Sequence, residues 1–597
     1  MAKKQKLELT WIGKDKRPKL EPRILLEDPD KSYYAKHRVT ENDIFDNRLI
    51  FGDNLLALKA LEQEFTGKVK CIYIDPPYNT GNAFENYDDG IEHSIWLSLM
   101  RDRLESLRRL LSDDGFFCCQ IDDGEGAYLK VLLDEIFGRS NYLTTFYVQV
   151  RYGHKTLAED NDYQKVIEQC FIYAKDRNLA KANKDKEPYK IEKFEWMIIE
   201  KSDGEELELG GKKVVLFKPG EYEIKKIEPS LTGLKETWAT GSLVRQSGSS
   251  GEFLDKYLAP RKKIDGLSCL YKVYGIGEDG LGYRYMTGPK KSTATKGKFY
   301  SGIPLKTLSA IKEGKADKAK PIQNFFDLAG SFGNCRHEGG VDFRGGKKPE
   351  KLLELILKHF SKPGDLVLDS FGGSGTTSAV AHKMGRKWIT VELREQAYTH
   401  IVPRLMRVID GDDKSGVSEN YEWKGGGGFR YYRLAPSLLE KDKWGNWVIN
   451  KEYNAAMLAE ALCKLEGFTY TPSETVWWQH GHSTEQDFIY VTTQNLSVSQ
   501  LQALAEEVGE GRSLLVLCSA FRGISAAKAT ERWPNLTIKK IPKVVLSRCE
   551  WGRDDYSLNV QNLPMLEPEP EQPAVPKKKS KKKTAPGQVA LFGEEEQ

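Results

Sequence analysis

From Asn47 onward, short apolar runs alternate with amphipathic stretches. Arg48-Leu-Ile-Phe-Gly-Asp-Asn54 predicts a strand ending at Gly52-Asp53, and Leu55, Leu56, Leu58 and Leu61 give the helix after it one apolar face. The run from Val69 to Ile74 predicts a buried strand that stops abruptly at Asp75-Pro76-Pro77-Tyr78. Two consecutive prolines fix their own backbone angles, remove two donors and keep Asp75 extended. A carboxylate, bare carbonyls and an aromatic ring are thereby held at a strand's end. Strand, helix and strand form a βαβ unit, which puts this loop at the C-terminal edge, where open α/β sheets place their ligands. Taken alone, the four residues also read as an ordinary turn.

The alternation continues through a helix over 94–111, a strand over 116–121, a helix carrying Tyr128, Leu132 and Ile136, and strands near 143–150 and 166–174. That order predicts a mostly parallel sheet. Between about 176 and 320 the pattern breaks into lysine-rich, glycine-rich and short-strand segments. Aromatic and basic residues interleave there, with Arg284, Lys290, Lys291, Lys296 and Lys298 as candidate phosphate contacts. Regular α/β patterning returns with an amphipathic helix over 350–360. Pro363-Gly-Asp-Leu-Val-Leu-Asp-Ser-Phe-Gly-Gly-Ser-Gly-Thr-Thr377 then reads as strand, glycine turn and helix start, and Lys387 to Leu393 as a strand carrying Glu392 at its end. Phe429 to Leu434 is strand-like, and strands at 487–493, 513–518 and 536–547 around a helix at 497–508 predict a smaller α/β unit. The expected division is an arm (1–45), a first half-domain (46–175), an insertion (176–320), a second half-domain (321–435), a C-terminal α/β domain (436–562) and a disordered tail (563–597).

Composition narrows this picture in few places. At 597 residues the chain exceeds one core, so two or three domains are expected. With 29% charged and 39% hydrophobic residues, no apolar run of bilayer length and no signal-peptide core after the basic start, a cytoplasmic, nucleoid-associated protein is expected. A net charge of +4 argues little for nucleic acid by itself, although a basic groove balanced by acidic surface elsewhere fits it. The 9 cysteines have no paired CxxC spacing, so neither a disulfide framework nor a zinc site is expected. His480 and His482 beside Trp477 and Trp478 read as loop residues, with no third ligand at a recognisable spacing.

A strand, a glycine turn, a helix N-terminus and an acidic residue some twenty positions on predict a nucleoside-cofactor site. A P-loop would need a lysine where Gly375-Thr376-Thr377 stands. A dinucleotide fold would want a third glycine at Ser378, which makes NAD disfavoured but not ruled out. S-adenosylmethionine, a nucleoside without phosphates, fits what remains.

Asp75-Pro-Pro-Tyr78 followed downstream by Phe371-Gly-Gly-Ser-Gly375 resembles the amino-group DNA methyltransferases, in the motif order of their beta class. Ile74 to Gly81, Asp134-Glu-Ile-Phe-Gly138 and the stretch 427–432 resemble the modification subunits of type III restriction–modification systems. The resemblance covers roughly residues 45 to 435. It implies a Rossmann-like S-adenosylmethionine-dependent methyltransferase fold with circularly permuted motif order and an inserted target recognition domain.

By the same resemblance, Asp75, Pro76, Pro77 and Tyr78 form the catalytic loop. Asp75 and the Pro76 carbonyl would accept the hydrogens of an exocyclic amine, and Tyr78 would stack on a flipped-out base. Phe371, Gly373 and Gly375 would line the cofactor, Glu392 would bind its ribose, and Asp369 would orient the loop. Phe343, Lys348 and Pro349 would pack near its methionine end, and Asp53 would reach its adenine. Asp at position 75 favours N6 of adenine; N4 of cytosine and a non-catalytic DNA-binding specificity subunit are the alternatives. Double-stranded DNA, a restriction subunit and a second copy of the chain are the implied partners. Gln588-Val-Ala-Leu-Phe592 resembles the Gln-x-x-Leu-Phe peptide by which bacterial proteins dock on the replication sliding clamp, through Gln588, Leu591 and Phe592.

Overall fold

The computed structural model describes residues 8–78, 93–154, 163–313, 317–541 and 549–557. The tail at 563–597 and its clamp-like Gln588, Leu591 and Phe592 lie outside these residues, as do Thr80 and Gly81 of the catalytic-loop segment. The chain forms two compact units, Met1–Ala182 with Asn324–Gln597, and Asn183–Gln323.

The first unit is built on an 11-stranded sheet. Its strands are β1 (Leu25–Glu27), β2 (Tyr33–Tyr34), β3 (Asn47–Phe51), β4 (Val69–Ile74), β5 (Leu111–Ile121), β6 (Tyr142–Gln149), β7 (Ile167–Ala174), β8 (Phe325–Asp327), β9 (Leu366–Asp369), β10 (Lys387–Glu392) and β11 (Gly428–Leu434). Across the sheet the order is β1, β11, β3, β10, β9, β4, β5, β7, β6, β8, with β2 also pairing β11. The run from β11 to β5 is parallel throughout. Strand β7 departs from the expected parallel pattern, running antiparallel to both β5 and β6. The predicted arm supplies β1 and β2, which pair antiparallel with β11.

Five helices cover the faces that these apolar strands would otherwise expose: α1 (Asn54–Phe65), α2 (His93–Leu110), α3 (Asp123–Leu133), α4 (Glu350–Phe360) and α5 (Thr376–Lys383). Because both faces are covered, β4 needs no polar alternation, and Cys71, Ile72, Tyr73 and Ile74 are all buried. Helix α2 turns Trp96, Leu97, Met100, Leu104 and Leu107 into this core, and its Arg101 and Arg103 are buried as well. The chain leaves β9 toward β10 on one side, while β4 leads to β5 on the other. A topological switch point therefore opens between β9 and β4, with Leu368 opposite Ile72.

Residues Thr469 to Lys540 add a five-stranded sheet, of which Asp487–Leu496, Ser513–Phe521 and Leu536–Lys540 are parallel. The arm's Ile24 shares a core with Leu438, Leu439 and Leu462. The second unit carries a six-stranded antiparallel sheet with its own core of Val214, Leu254, Tyr271 and Met286. No helix among the described residues is long and apolar enough to cross a membrane.

Candidate active site

The two loops singled out in the sequence leave the C-terminal ends of neighbouring parallel strands, Asp75 following β4 and Ser370 following β9. One pocket is lined from both, by Tyr73 and Asp75 on one side and Asp369, Phe371, Gly373 and Thr376 on the other, with Lys348 between them. Trp96, fully buried on α2, donates from Nε1 to the Pro77 carbonyl at 2.8 Å and fixes the height of the catalytic loop.

Tyr78 is turned inward. Its hydroxyl lies 2.8 Å from Asp75 Oδ1 and 2.9 Å from Glu168 Oε2, and one proton serves these two acceptors. Lys348 Nζ donates to the Tyr78 hydroxyl at 2.8 Å and pairs with Asp75 Oδ2 at 3.2 Å and Glu168 Oε2 at 3.3 Å. It is 4.8 Å from the Tyr78 ring centroid, so the short hydroxyl contact puts it at the ring's hydroxyl edge and not over its face. Gln120 on β5 donates to Glu168 at 2.6 Å and accepts from the Tyr73 hydroxyl at 3.2 Å. Two carboxylates thus share one ammonium, and all three side chains keep some exposure, 15% for Asp75, 17% for Glu168 and 9% for Lys348.

The electrostatics follow from that imbalance. Burial pushes the Asp75 carboxyl up to about 6, against the pull of Lys348 and with a further push from the negative Glu168. Burial also works to raise Glu168, but Lys348 and the hydrogen bonds from Gln120 and Tyr78 outweigh it and hold that carboxyl below its usual range. Lys348 is raised, because the two carboxylates overcome its burial.

On the glycine side, Asp369 ends β9, accepts from Phe371 N at 2.9 Å and from the Thr377 hydroxyl at 2.5 Å, and so ties the start of the loop to α5. Burial pushes its carboxyl up to about 8. Gly373 and Gly375 take positive φ, 53° and 74°, which an L side chain resists, and a Cβ on Gly375 would meet Ile401 at 2.9 Å. Glu392, at the end of β10, accepts from Gly373 N at 2.7 Å and Arg394 N at 3.0 Å, holding the turn against the neighbouring strand. Phe371 packs on the central core.

Other residues singled out in the sequence have different surroundings. Lys348 reaches the double-proline loop, and Pro349 is the N-cap of α4. Phe343 is buried edge-on against His400, with centroids 5.5 Å apart. Asp53 caps α1, Oδ1 accepting from Leu55 N at 2.9 Å and Leu56 N at 3.1 Å; Oδ2 accepts from Tyr556 N at 2.9 Å and pairs with buried Arg103 at 3.3 Å. Its carboxylate is engaged by these partners within the fold. Its neighbour Asn54 donates to the Ser370 carbonyl at 2.8 Å. In the second unit, Lys290 and Lys291 are exposed. Lys296 pairs with Asp255 at 2.7 Å and Lys298 with Glu236 at 2.6 Å. Arg284 is 13% exposed and paired with fully buried Asp279 at 3.2 Å.

Glu168, Gln120 and Trp96 went unnoticed in the sequence. Glu168 stands near the start of a strand running opposite to β5, and such a start lies at the same edge as the ends of the parallel strands, a relation that only the pairing reveals.

The chain is 33% identical over 414 residues to the probable type III restriction-modification enzyme HindVI Mod subunit of Haemophilus influenzae, covering 66% of this chain and 54% of that protein. It is 27% identical over 429 residues to the EcoPI Mod subunit of Escherichia phage P1, covering 64% of this chain and 61% of that protein. Against the type II methyltransferase M.EcaI of Enterobacter cloacae it is 26% identical over 389 residues, covering 63% and 73%. The chain therefore spans little more than half the length of the two Mod relatives. A family model described as DNA methylase matches residues 69–403, more than half of the 597 residues and both loops of the pocket, and the chain belongs to this N6/N4 DNA methylase family.

Proposed function

We propose that the chain is a site-specific DNA methyltransferase acting on the exocyclic N6 amine of an adenine turned out of the duplex, as the modification component of a restriction–modification or phage-defence system. The observation that carries this reading is the single pocket shared by Asp75 and the glycine loop on adjacent strands. The residues present fit S-adenosylmethionine: the glycine turn has no lysine for a phosphate, Glu392 suits ribose hydroxyls, and the buried Ser370 hydroxyl has no hydrogen-bond partner among the described residues. When bound, this cofactor supplies an electrophilic methyl group.

The chain's own residues do the rest. An exocyclic amine conjugated with its ring is a weak nucleophile, and acceptors on both its hydrogens turn its lone pair outward. Asp75 takes one hydrogen and the Pro76 carbonyl the other, while the free face of the Tyr78 ring stacks on the base. Asp75 must be ionised to accept. The proton lost from the methylated amine passes to Asp75, whose raised pKa suits it to hold a proton briefly.

Likeness to the Mod subunits supports a restriction subunit as partner, and exposed Lys290 and Lys291 support contact of the 176–320 insertion with DNA. A homodimer, nucleoid-associated residence in the cytoplasm and a clamp contact through Gln588, Leu591 and Phe592 complete the proposal. Clamp pull-down that retains protein lacking 588–592 as well as the full chain would remove that last contact. The central test is incubation with labelled S-adenosylmethionine and methylation-free DNA, followed by nucleoside analysis. Labelled methyladenine is expected; labelled methylcytosine would overturn the base assignment, and no label would overturn the enzyme.

A further inference from the structure

Resting on the methyltransferase reading, we propose that Lys348 keeps the place of the target amine at Asp75 while the site is empty, and that Glu168 is the positioning residue that takes Lys348 over when the base arrives. Both Asp75 oxygens are engaged, Oδ1 by the Tyr78 hydroxyl at 2.8 Å and Oδ2 by Lys348 at 3.2 Å. A carboxylate accepts more than two donors, so an incoming amine competes with these two for Asp75. Tyr78 is held beside Asp75 by the rigid double-proline loop and by Trp96 on the Pro77 carbonyl. Lys348 sits on a flexible four-carbon stem and already touches a second carboxylate, Glu168 Oε2, at 3.3 Å.

Moving the ammonium from one acceptor to the other keeps it paired throughout. Without Glu168, the displaced cation would stand uncompensated in a largely buried pocket, a costly state. Gln120, donating to Glu168 at 2.6 Å, holds the receiving carboxylate in position. Lys348 is set at this spot by its neighbour: the Lys347 ammonium donates to the carbonyls of Arg336, Glu338 and Val341 at 3.0, 2.7 and 3.0 Å and locks the segment leading into it. The exchange moves no net charge and breaks no covalent bond.

The groups facing Asp75 are Lys348, Glu168, Tyr78, Tyr73, Asp369, Cys119 and Cys170. Among them, Glu168 is the like charge that raises Asp75 and Lys348 the opposite charge that lowers it. Substituting either makes a prediction of definite sign. In Glu168→Gln, Lys348 has only Asp75 left to pair with, so the plateau of the single-turnover rate should fall roughly tenfold, within the coupling range of contacting residues. Because a like charge is lost, the acid limb of the same profile should move down by about one pH unit.

A role in folding alone would slow the enzyme without moving the limb. In a Lys348→Met background no cation is left to receive, and Glu168→Gln should add no further loss; a multiplicative loss overturns the proposal. The test uses the full chain, labelled S-adenosylmethionine and methylation-free DNA, with cofactor affinity measured by calorimetry and expected to be unchanged in Glu168→Gln. If wild type transfers no label, the methyltransferase reading fails. If wild type transfers label and Glu168→Gln keeps both plateau and limb, only this inference fails. Should Glu168→Gln not fold, Lys348→Met tests it alone: its acid limb should move up as the cation is lost, and an unmoved limb overturns the proposal.

Discussion

Two ion clusters lie on either side of the glycine loop, and they are built to opposite ends. Behind the loop, Glu350 on α4 receives Lys383 of α5 and Arg404 of the helix Val402–Asp410 at 2.8 Å each, and Lys383 pairs in turn with Asp413 at 2.7 Å. Two cations meet two carboxylates, all at 0–2% exposure. The backbone N–H of Val417 adds a donor to Glu350, and the Ser415 hydroxyl one to Asp413. Arg404 also donates to the Thr376 hydroxyl at 2.8 Å, so the cluster fastens the start of α5. In front of the loop, two carboxylates share one lysine and remain partly open to solvent. The closed cluster is balanced and holds helices together. The open one has one cation for two carboxylates.

That contrast can be broken most forcibly at Asp75. Asp75→Ala should lower the single-turnover rate by ~10³–10⁴-fold, the upper range for a group acting directly on the transferred proton and the transition state. Cofactor affinity should stay within a small factor if Asp75 faces the base as proposed; equal loss of cofactor binding would mean that the pocket had collapsed.

The closed cluster should respond in stability instead. Lys383→Met leaves Glu350 and Asp413 with too little positive charge in a dry site, and a loss of ~3–5 kcal/mol is expected in denaturant unfolding. Lys348→Met should cost clearly less, since Asp75 already titrates near 6 and relieves the unpaired charge by taking up a proton. Comparable losses for the two lysines would erase the distinction between the clusters.

The same imbalance sets a pH dependence. Asp75 must be ionised to accept a hydrogen, and its carboxyl is raised to about 6 by burial, so the single-turnover rate should be flat above that pH and fall about tenfold per unit below it. A limb near the ordinary aspartate value would mean that the pocket is wetter than its burial implies.

How much of this was legible beforehand follows from the range over which each signal acts. The two loops announced themselves because proline and glycine fix local backbone, and β4 and β9 because apolar runs need no partner to be recognised. The antiparallel course of β7 depends on pairing with β5 and β6, which periodicity along one strand does not reveal. Glu168 was missed for that reason. An acid after a strand looks the same whether it faces a ligand or caps a helix, and the contacts of Asp53 with Arg103 and with Tyr556, more than five hundred residues away, leave no local signal. Lys347 and Lys348 are adjacent and identical in type, yet one is spent on three carbonyls and the other on the catalytic loop.

The smallest effect sharpens the comparison from its uncharged side. Trp96→Phe keeps an aromatic ring in the core but deletes the 2.8 Å hydrogen bond to the Pro77 carbonyl. One such bond contributes about 1 kcal/mol net, so stability should fall by about that amount and the single-turnover rate by about fivefold at most. No charge near Asp75 changes, and the acid limb should stay where wild type has it, in contrast to Glu168→Gln. A limb that moved with Trp96→Phe would mean that loop height, and not the sharing of Lys348 between two carboxylates, sets the affinity of Asp75 for its proton.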